Sequence, residues 1–276
     1  MTPADVLRRA SDYLDRHGVE SPRTTAEILL AAVLEIDRAG LYARRKGLSA
    51  REARMFGRAI CQRCTGTPLQ HLTGDQQFRR LTIGVRPGVF IPRPETEVLV
   101  GAALEAVADV ESPVVVDVGT GTGAVALAIA HERPDARVLA TDLSPEAVDL
   151  ARDNTARLGL DVDVLEGDLL APLPEELRGS IDLVVSNPPY VTPEEYRDLP
   201  AEVRAEPELA LLGGVEAYER LAQAAASWLR PGGGLALEIG SGDAGEILAR
   251  LEPRFDDLRV RPDLAGRDRI VVGRRR

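Results

Sequence analysis

The pentapeptide Ser186-Asn187-Pro188-Pro189-Tyr190 directly follows an apolar run, Ile181 to Val185, that reads as a buried strand. A side-chain amide, two rigid prolines and an aromatic ring are therefore expected at a strand's carboxyl end, the edge where ligands bind in open α/β sheets. Proline has no N–H to donate, so this loop offers mainly acceptors: the Asn187 side-chain oxygen and the carbonyls of Asn187 and Pro188. Such a loop suits a substrate with two N–H donors on one nitrogen, the NH₂ of an amide or of a nucleobase. Asn187, Pro188 and Tyr190 are the candidate catalytic residues, and Asn187, Pro188, Pro189 and Tyr190 the candidate substrate contacts.

A second stretch could bind the partner in that reaction. Val114-Val115-Val116 reads as a strand running into Asp117-Val118-Gly119-Thr120-Gly121-Thr122-Gly123, after which a helix opens. Glycines in this context allow a tight turn and close approach of backbone to ligand. Asp142 lies 25 residues after Asp117, at the end of the next strand, where an acid can accept both ribose hydroxyls of a nucleoside. Asp168 ends the strand after that and is placed to reach an adenine edge. Dinucleotide sites favour G-x-G-x-x-G, whereas the spacing here is G-x-G-x-G behind an acid. A carboxylate beside the loop repels a pyrophosphate and attracts an ammonium or sulfonium, so the expected ligand is S-adenosyl-L-methionine rather than NAD.

The elements that must position these loops alternate in type. Strands are predicted at 114–116, 138–141, 162–165, 181–185, 235–239, 255–260 and 269–273, with helices between most of them, which means a mainly parallel sheet covered on both faces. The turn Pro262 to Asp268 is too short for a crossover, so one of the last two strands is expected to be antiparallel. Residues 76–91 alternate like strands (Phe78, Leu81, Ile83, Val85, then Val89 and Ile91) and predict a β-hairpin linker over 74–94 turning at Arg86-Pro87-Gly88. Residues 1–73 read as a helical bundle. Thr2-Pro3 and Ser21-Pro22 give start signals, and Ser49-Ala50-Arg51-Glu52 a capping box. Val6, Ala10, Tyr13 and Leu14 keep helical spacing, and Ile28, Leu29, Ala32, Val33 and Ile36 line a face of the second helix. With no catalytic constellation of its own, this part is expected to dock a partner.

Bulk composition narrows the classes. The 276 residues carry a formal net charge of −10, which argues against a general nucleic-acid binder. Residues 1–73 hold 12 Lys+Arg against 8 Asp+Glu, a net of +4, which leaves −14 (22 against 36) on the remainder. No apolar run approaches the roughly 20 residues of a membrane span, and the first residues lack a secretory pattern, so a cytoplasmic protein with no membrane partner is expected. Cys61 and Cys64 form C-x-x-C, but only His71 is near and the pair ends a predicted helix, so neither metal nor redox chemistry is expected.

Three further stretches accompany these motifs: Pro68-Leu69-Gln70-His71-Leu72-Thr73-Gly74, Phe90-Ile91-Pro92-Arg93-Pro94-Glu95-Thr96-Glu97 and Glu206-Pro207-Glu208-Leu209-Ala210-Leu211. With the glycine loop and Asn187-Pro188-Pro189-Tyr190 they resemble the release factor glutamine methyltransferases, the PrmC/HemK family, over essentially the whole chain. The resemblance implies a Rossmann-like class I methyltransferase domain over 95–276 with a seven-stranded sheet, and a helical N-terminal domain that recognises a release factor. It implies methylation of the glutamine side-chain nitrogen (N5) in the Gly-Gly-Gln motif of peptide chain release factors. By it Gly119 to Gly123 and Asp142 contact S-adenosyl-L-methionine, Asp168 and Leu169 flank its adenine, and Asn187, which also borders the cofactor, holds the glutamine with Pro188 to Tyr190. Many members carry a glutamine soon after the Glu238-Ile239-Gly240 stretch, where this chain has Ser241-Gly242-Asp243. A monomer with no stable nucleic-acid partner is expected. The alternative is a nucleic-acid methyltransferase acting on adenine N6 or guanine N2, whose acceptors present the same two donors.

Overall fold

The computed structural model describes residues 2–240 and 242–276; Met1 and Ser241, the latter part of the departure noted above, lie outside them. Two compact units result. One comprises residues up to Asp75 together with Pro200–Ala205, the other Gln76–Leu199 with Glu206–Arg276.

The smaller unit is helical: α1 (Pro3–Arg16), α2 (Pro22–Leu34), α3 (Arg38–Ala43), α4 (Ala50–Cys64) and α5 (Leu69–Thr73). Capping boxes open α1 (Thr2 with Asp5) and α4 (Ser49 with Glu52). Ser21 does not cap α2. Its backbone is left-handed (φ 47°), not the extended form that lets an N-cap side chain reach back, and Pro22 alone supplies the start. The core is Leu7, Ala10, Leu14, Ala26, Leu29, Leu30, Leu41, Phe56 and Ile60. Ile28 and Tyr13, expected inside, are exposed. The run Ala26 to Leu34 is apolar nearly all round, so spacing does not select its buried face. Arg63 on α4 pairs with Glu202 at 2.6 Å, which ties in a later helix of this unit, α10 (Ala201–Arg204). Cys61 is exposed and Cys64 half-buried, both as free thiols on α4.

The larger unit begins with a hairpin, β1 (Asp75–Phe78) and β2 (Leu81–Gly84). It turns at Arg79-Arg80, not at Arg86-Pro87-Gly88 as the alternation suggests. Arg79 takes the left-handed backbone (φ 50°); its N–H donates to Glu97 at 3.0 Å and its guanidinium pairs with Glu132. Val85, Val89 and Ile91 are buried as expected, but in irregular chain. Then follow α6 (Thr96–Ala106), β3 (Val114–Val118), α7 (Ala124–Glu132), β4 (Arg137–Asp142), α8 (Pro145–Leu158), β5 (Val162–Glu166), β6 (Ile181–Ser186), the short α9 (Pro193–Asp198) and α11 (Glu208–Leu211), α12 (Gly214–Trp228), β7 (Leu229–Glu238), α13 (Ala244–Leu251), β8 (Phe255–Pro262) and β9 (Asp268–Arg275).

Among the described residues the main sheet has seven strands in the order β5-β4-β3-β6-β7-β9-β8. From β5 to β7 neighbours are parallel, and β9 runs antiparallel to both β7 and β8. Both faces are covered, so alternate strand residues enter different cores. Val115, Ala140, Leu183 and Val185 meet α6, α7, α8 and the hairpin residues Phe78 and Ile83. Val116, Val118, Leu139 and Val184 meet α12 and α13 through Tyr218, Leu221, Trp228, Ile247 and Leu251. The strand order reverses at β3, with β4 on one side and β6 on the other, which makes the carboxyl ends of β3 and β6 a topological switch point.

One buried side chain links hairpin, α8 and glycine loop. Asn154 on α8 accepts from the Gly84 N–H (2.8 Å) and donates to the carbonyls of Gly84 (3.0 Å) and Thr122 (2.9 Å). Replacing it with Leu strips three backbone groups of a partner that is itself 2% exposed, and unpaired buried groups cost about 1–3 kcal/mol each. Asn154→Leu is therefore expected to lower Tm by at least about 4–8 °C in a calorimetric scan. An unchanged Tm would show that these bonds do not hold the loop.

Candidate active site

At the switch point Val118 stands opposite Ser186 in parallel register, and the Ser186 hydroxyl donates to the Val118 carbonyl at 2.6 Å. The glycine loop leaving β3 and the Asn187 loop leaving β6 thus start side by side. Gly119 and Thr120 both donate their N–H to the Thr141 carbonyl, at 2.9 and 3.0 Å. Gly119, Gly121 and Gly123 have φ of 71°, 57° and 83°, so a side chain there would be strained. A Cβ on Gly119 or Gly121 would meet no protein atom within 4 Å, whereas on Gly123 it would press on Leu127 and Ala151. The first two glycines border space open to a ligand; the third permits close packing of α7 on α8.

The acids behave differently from one another. Asp117 was expected to face a cationic ligand, but its side chain is buried, accepting from the Thr120 hydroxyl (2.6 Å) and the Ala126 N–H (3.1 Å). The N-cap of α7 is Gly123, which has no side chain to satisfy the helix's free N–H groups; Asp117 reaches from the strand to do so. Burial pushes its carboxyl up to about 7, against the opposing Thr120 and Ala126 bonds. Asp117 is thus the buttress of the loop. Asp142 ends β4 half-buried, accepting from Gly121 N (2.8 Å) and Ser144 N (2.9 Å). Its carboxyl also titrates above the ordinary range because of burial. Two bonds leave lone pairs on both oxygens, since a carboxylate accepts about four. Asp168, half-exposed beyond β5, pairs with Arg220 of α12 at 2.8 Å, a partner that spacing in the sequence did not reveal. Leu169 follows in left-handed backbone (φ 52°) and packs partly buried against the α12 side of the core.

The Asn187 loop is held from three directions. Asn187 Nδ2 donates to the Thr96 hydroxyl at 3.3 Å. Among the described residues no donor is bonded to its Oδ1. On the far side Val191 forms a bridge with Leu212: Val191 N donates to Leu211 O (2.8 Å) and Gly213 N to Val191 O (3.2 Å). Gly213 lies so close that a Cβ there would stand 2.0 Å from the Pro189 carbonyl oxygen. The same segment starts at Glu206, whose buried carboxylate pairs with Arg93 and accepts the Ile91 N–H at 3.0 Å. Pro188 is buried, and Tyr190 is partly buried against the α12 core, its ring edge against Gly240. Burial raises the Tyr190 phenol above its ordinary range.

Two residues of this region had not been singled out individually. Thr96 is buried at the start of α6, and Glu238 is buried at the end of β7. Burial pushes the Glu238 carboxyl up to about 7, opposed by the neighbouring Thr96 side chain and by the Arg269 charge. The signal for Thr96 was its place inside Ile91 to Glu97; the signal for Glu238 was an acid in an apolar strand, the kind of residue that is buried only with a partner. Among the described residues no three His, Cys, Asp or Glu side chains cluster as a metal would require.

The geometry generates a direct test. Gly213→Ala must push the Pro189 carbonyl aside and shift the Asn187 loop, and a 1 Å misplacement of reacting groups can cost about 100-fold. Turnover is expected to fall by about that factor while cofactor affinity, measured by calorimetry, stays close to that of the unmodified protein. Unchanged turnover would contradict the packing described.

Comparison with known proteins follows this division. The family described as "PrmC N-terminal domain" matches residues 5–74, and "Methyltransferase small domain" matches residues 81–202. The release factor glutamine methyltransferase of Moorella thermoacetica is 47% identical over 100% of this chain and 99% of its own. That of Deinococcus radiodurans is 43% identical over 98% of each. Among solved structures, a T. thermophilus 16S rRNA N2 methyltransferase in complex with AdoMet and guanosine superimposes with a TM-score of 0.55 at 23% identity, covering 73% of this chain and 50% of that one, and shares the fold. With relatives this similar from end to end, the chain belongs to the release factor glutamine methyltransferase family.

Proposed function

We propose that this enzyme transfers a methyl group from S-adenosyl-L-methionine to the side-chain amide nitrogen of the glutamine in the Gly-Gly-Gln motif of peptide chain release factors. The observation that carries the reading is 47% identity to a release factor glutamine methyltransferase along the entire chain, helical unit included. The residues fit the cofactor. Gly119 and Gly121 border open space, and Thr120, Thr122 and Gly123 complete the loop around it. Asp142 keeps lone pairs for ribose hydroxyls. Asp168 and Leu169 would flank the adenine, with the Arg220 pair opening to free the Asp168 carboxylate. Asp117 acts from behind the loop.

S-adenosyl-L-methionine supplies, when bound, a methyl group on a sulfonium, an electrophile strong enough that the acceptor needs no base beforehand. An amide nitrogen is a poor nucleophile because its lone pair is delocalised into the carbonyl. The protein's task is therefore orientation and electrostatics. Asn187 Oδ1 accepts one N–H of the glutamine and the Pro188 carbonyl accepts the other. With both hydrogens fixed, the nitrogen can pyramidalise with its lone pair directed at the methyl carbon. Both acceptors strengthen as that nitrogen gains positive charge; as the methyl–sulfur bond broke and left a neutral thioether, the nitrogen would shed one of its two protons to solvent, giving the neutral N-methyl amide. Pro189 keeps the loop rigid, and Tyr190 borders the flat amide. Near-attack placement of this kind can lower a barrier by about 7–11 kcal/mol.

The helical unit is proposed to contact the release factor away from the glutamine, and the working form to be a cytoplasmic monomer without a stable nucleic-acid partner, in keeping with the net charge of −10. Incubating release factor with the protein and S-adenosyl-L-methionine should add about 14 Da, one methyl in exchange for a hydrogen, to its Gly-Gly-Gln peptide in mass spectrometry. Asn187→Ala should abolish that mass shift and leave cofactor affinity within about threefold, because the interaction it chiefly removes is the one to the acceptor nitrogen. A release factor left unmodified by the unaltered protein, or modified as fast by Asn187→Ala, would refute the proposal.

A further inference from the structure

Gly-Gly-Gln has no side chain ahead of the glutamine. An enzyme that grips it has only backbone to hold there, and a glycine carbonyl drawn out of water needs a donor. The acceptor loop and its supports have few to give. Pro92, Pro94, Pro188 and Pro189 have no N–H. Ile91 gives its N–H to Glu206 at 3.0 Å, Val191 gives its own to Leu211 at 2.8 Å, and Asn187 Nδ2 is spent on Thr96 at 3.3 Å.

One cation beside the loop is only partly spent. Arg93 accepts the N–H of Thr96 on its carbonyl at 3.1 Å, and Thr96 in turn holds Asn187. The Arg93 guanidinium is fixed from two directions. Its Nη2 donates to the buried Glu206 carboxylate, and its Cζ lies over the Phe90 ring, 5.1 Å from the centre. A guanidinium is a planar fork of N–H donors, and among the described residues no acceptor is bonded to Nε or Nη1. The Arg93 side chain is 31% exposed against 1% for Glu206, so part of the fork is open to a ligand. Its charge is felt at the Tyr190 phenol, where it opposes the upward pull of burial. A fork already held in place loses little freedom when it makes a further bond.

We infer that Arg93 is a specificity-determining residue for the acceptor: the open side of its guanidinium donates to a backbone carbonyl of the Gly-Gly segment while the Asn187 loop holds the glutamine nitrogen. The inference rests on the proposed Gly-Gly-Gln substrate. The glutamine's own carbonyl is the wrong target, because a donor there would draw the nitrogen lone pair further into the amide and slow its attack. Glycine suits the contact, since backbone without a Cβ can approach the fork closely. Glu206, from within the core, sets where that fork stands.

The test is a cycle between enzyme and substrate. The unaltered enzyme and Arg93→Gln, which keeps an N–H for Glu206 and loses the open side of the fork, are assayed on a Gly-Gly-Gln peptide. Two further peptides carry a thioamide, a weak acceptor, in place of one or the other glycine carbonyl. Arg93→Gln is expected to raise KM for the all-amide peptide about 10- to 100-fold, with kcat within about threefold and KM for S-adenosyl-L-methionine unchanged. In the unaltered enzyme one of the two thioamides should raise peptide KM, and in Arg93→Gln the same thioamide should add nothing, because the bond is already gone. If Arg93→Gln does not fold, Arg93→Lys is read in the same way, since a single ammonium held by Glu206 has no fork to reach a second acceptor. Full binding of both thioamide peptides by the unaltered enzyme would overturn the inference. So would thioamide and Arg93 effects that simply add, or a loss in Arg93→Gln that falls on kcat at unchanged peptide KM, the mark of a merely structural role. An unaltered enzyme inactive on both the all-amide peptide and whole release factor would instead overturn the proposed function.

Discussion

Two loops can meet over one edge of a sheet only if the strands that feed them run the same way and end level. Here β3 and β6 are parallel neighbours with Val118 opposite Ser186, and a buried serine hydroxyl fastens the two ends together. Everything chemical follows from that register. A slip of one residue would turn every side chain of β6 to the opposite face of the sheet, exchange Val184 and Val185 between two cores, and carry Asn187 away from the glycine loop. The apolar alternation on both faces is thus also what holds the site in register.

On that frame the site is built from fixed polar contacts. The glycine loop is pinned from below by Asp117, which satisfies the start of α7 in place of the side chain that Gly123 lacks, and from the side by Asp142. The Asn187 loop is pinned by Thr96, by the Val191 bridge and by Gly213. Glu206 couples these supports, because one carboxylate holds both Ile91 and Arg93 while its own chain continues to Gly213. The stretches around Ile91 and Glu206 carry no reacting group of their own. Their work is to make the acceptor loop rigid before substrate arrives, which suits a reaction that needs placement more than a base.

Much of this was legible in the sequence for plain reasons. Strand and helix periods, a glycine loop between a strand and a helix, and Asn187 after a buried strand are local patterns, and local patterns fix the parallel sheet and the two loops at its edge. The antiparallel last strand was legible too, since Pro262 to Asp268 is too short to cross over. What could not be read was direction and partnership. Asp117 looked like a ligand-facing acid because sequence does not say toward which side a carboxylate turns. The Arg220 partner of Asp168 lies 52 positions away. The hairpin turn was misassigned because Arg86-Pro87-Gly88 is the stronger turn signal, whereas Arg79 is held in its left-handed turn by Glu97 and Glu132 from other elements. The buried face of α2 was ambiguous because its residues are apolar on most sides. Gly213 carried no signal in the sequence, and only the nearness of the Pro189 carbonyl gives it a role.

The central claim is that Asn187 Oδ1 and the Pro188 carbonyl together capture both hydrogens of a glutamine amide. A crystal structure with S-adenosylhomocysteine and a Gly-Gly-Gln peptide tests this most directly. The account predicts the glutamine side-chain nitrogen within about 3.2 Å of both oxygens, with Asn187 Nδ2 still on Thr96. A glutamine turned with its oxygen toward Asn187, or bound without contact to either acceptor, would contradict it.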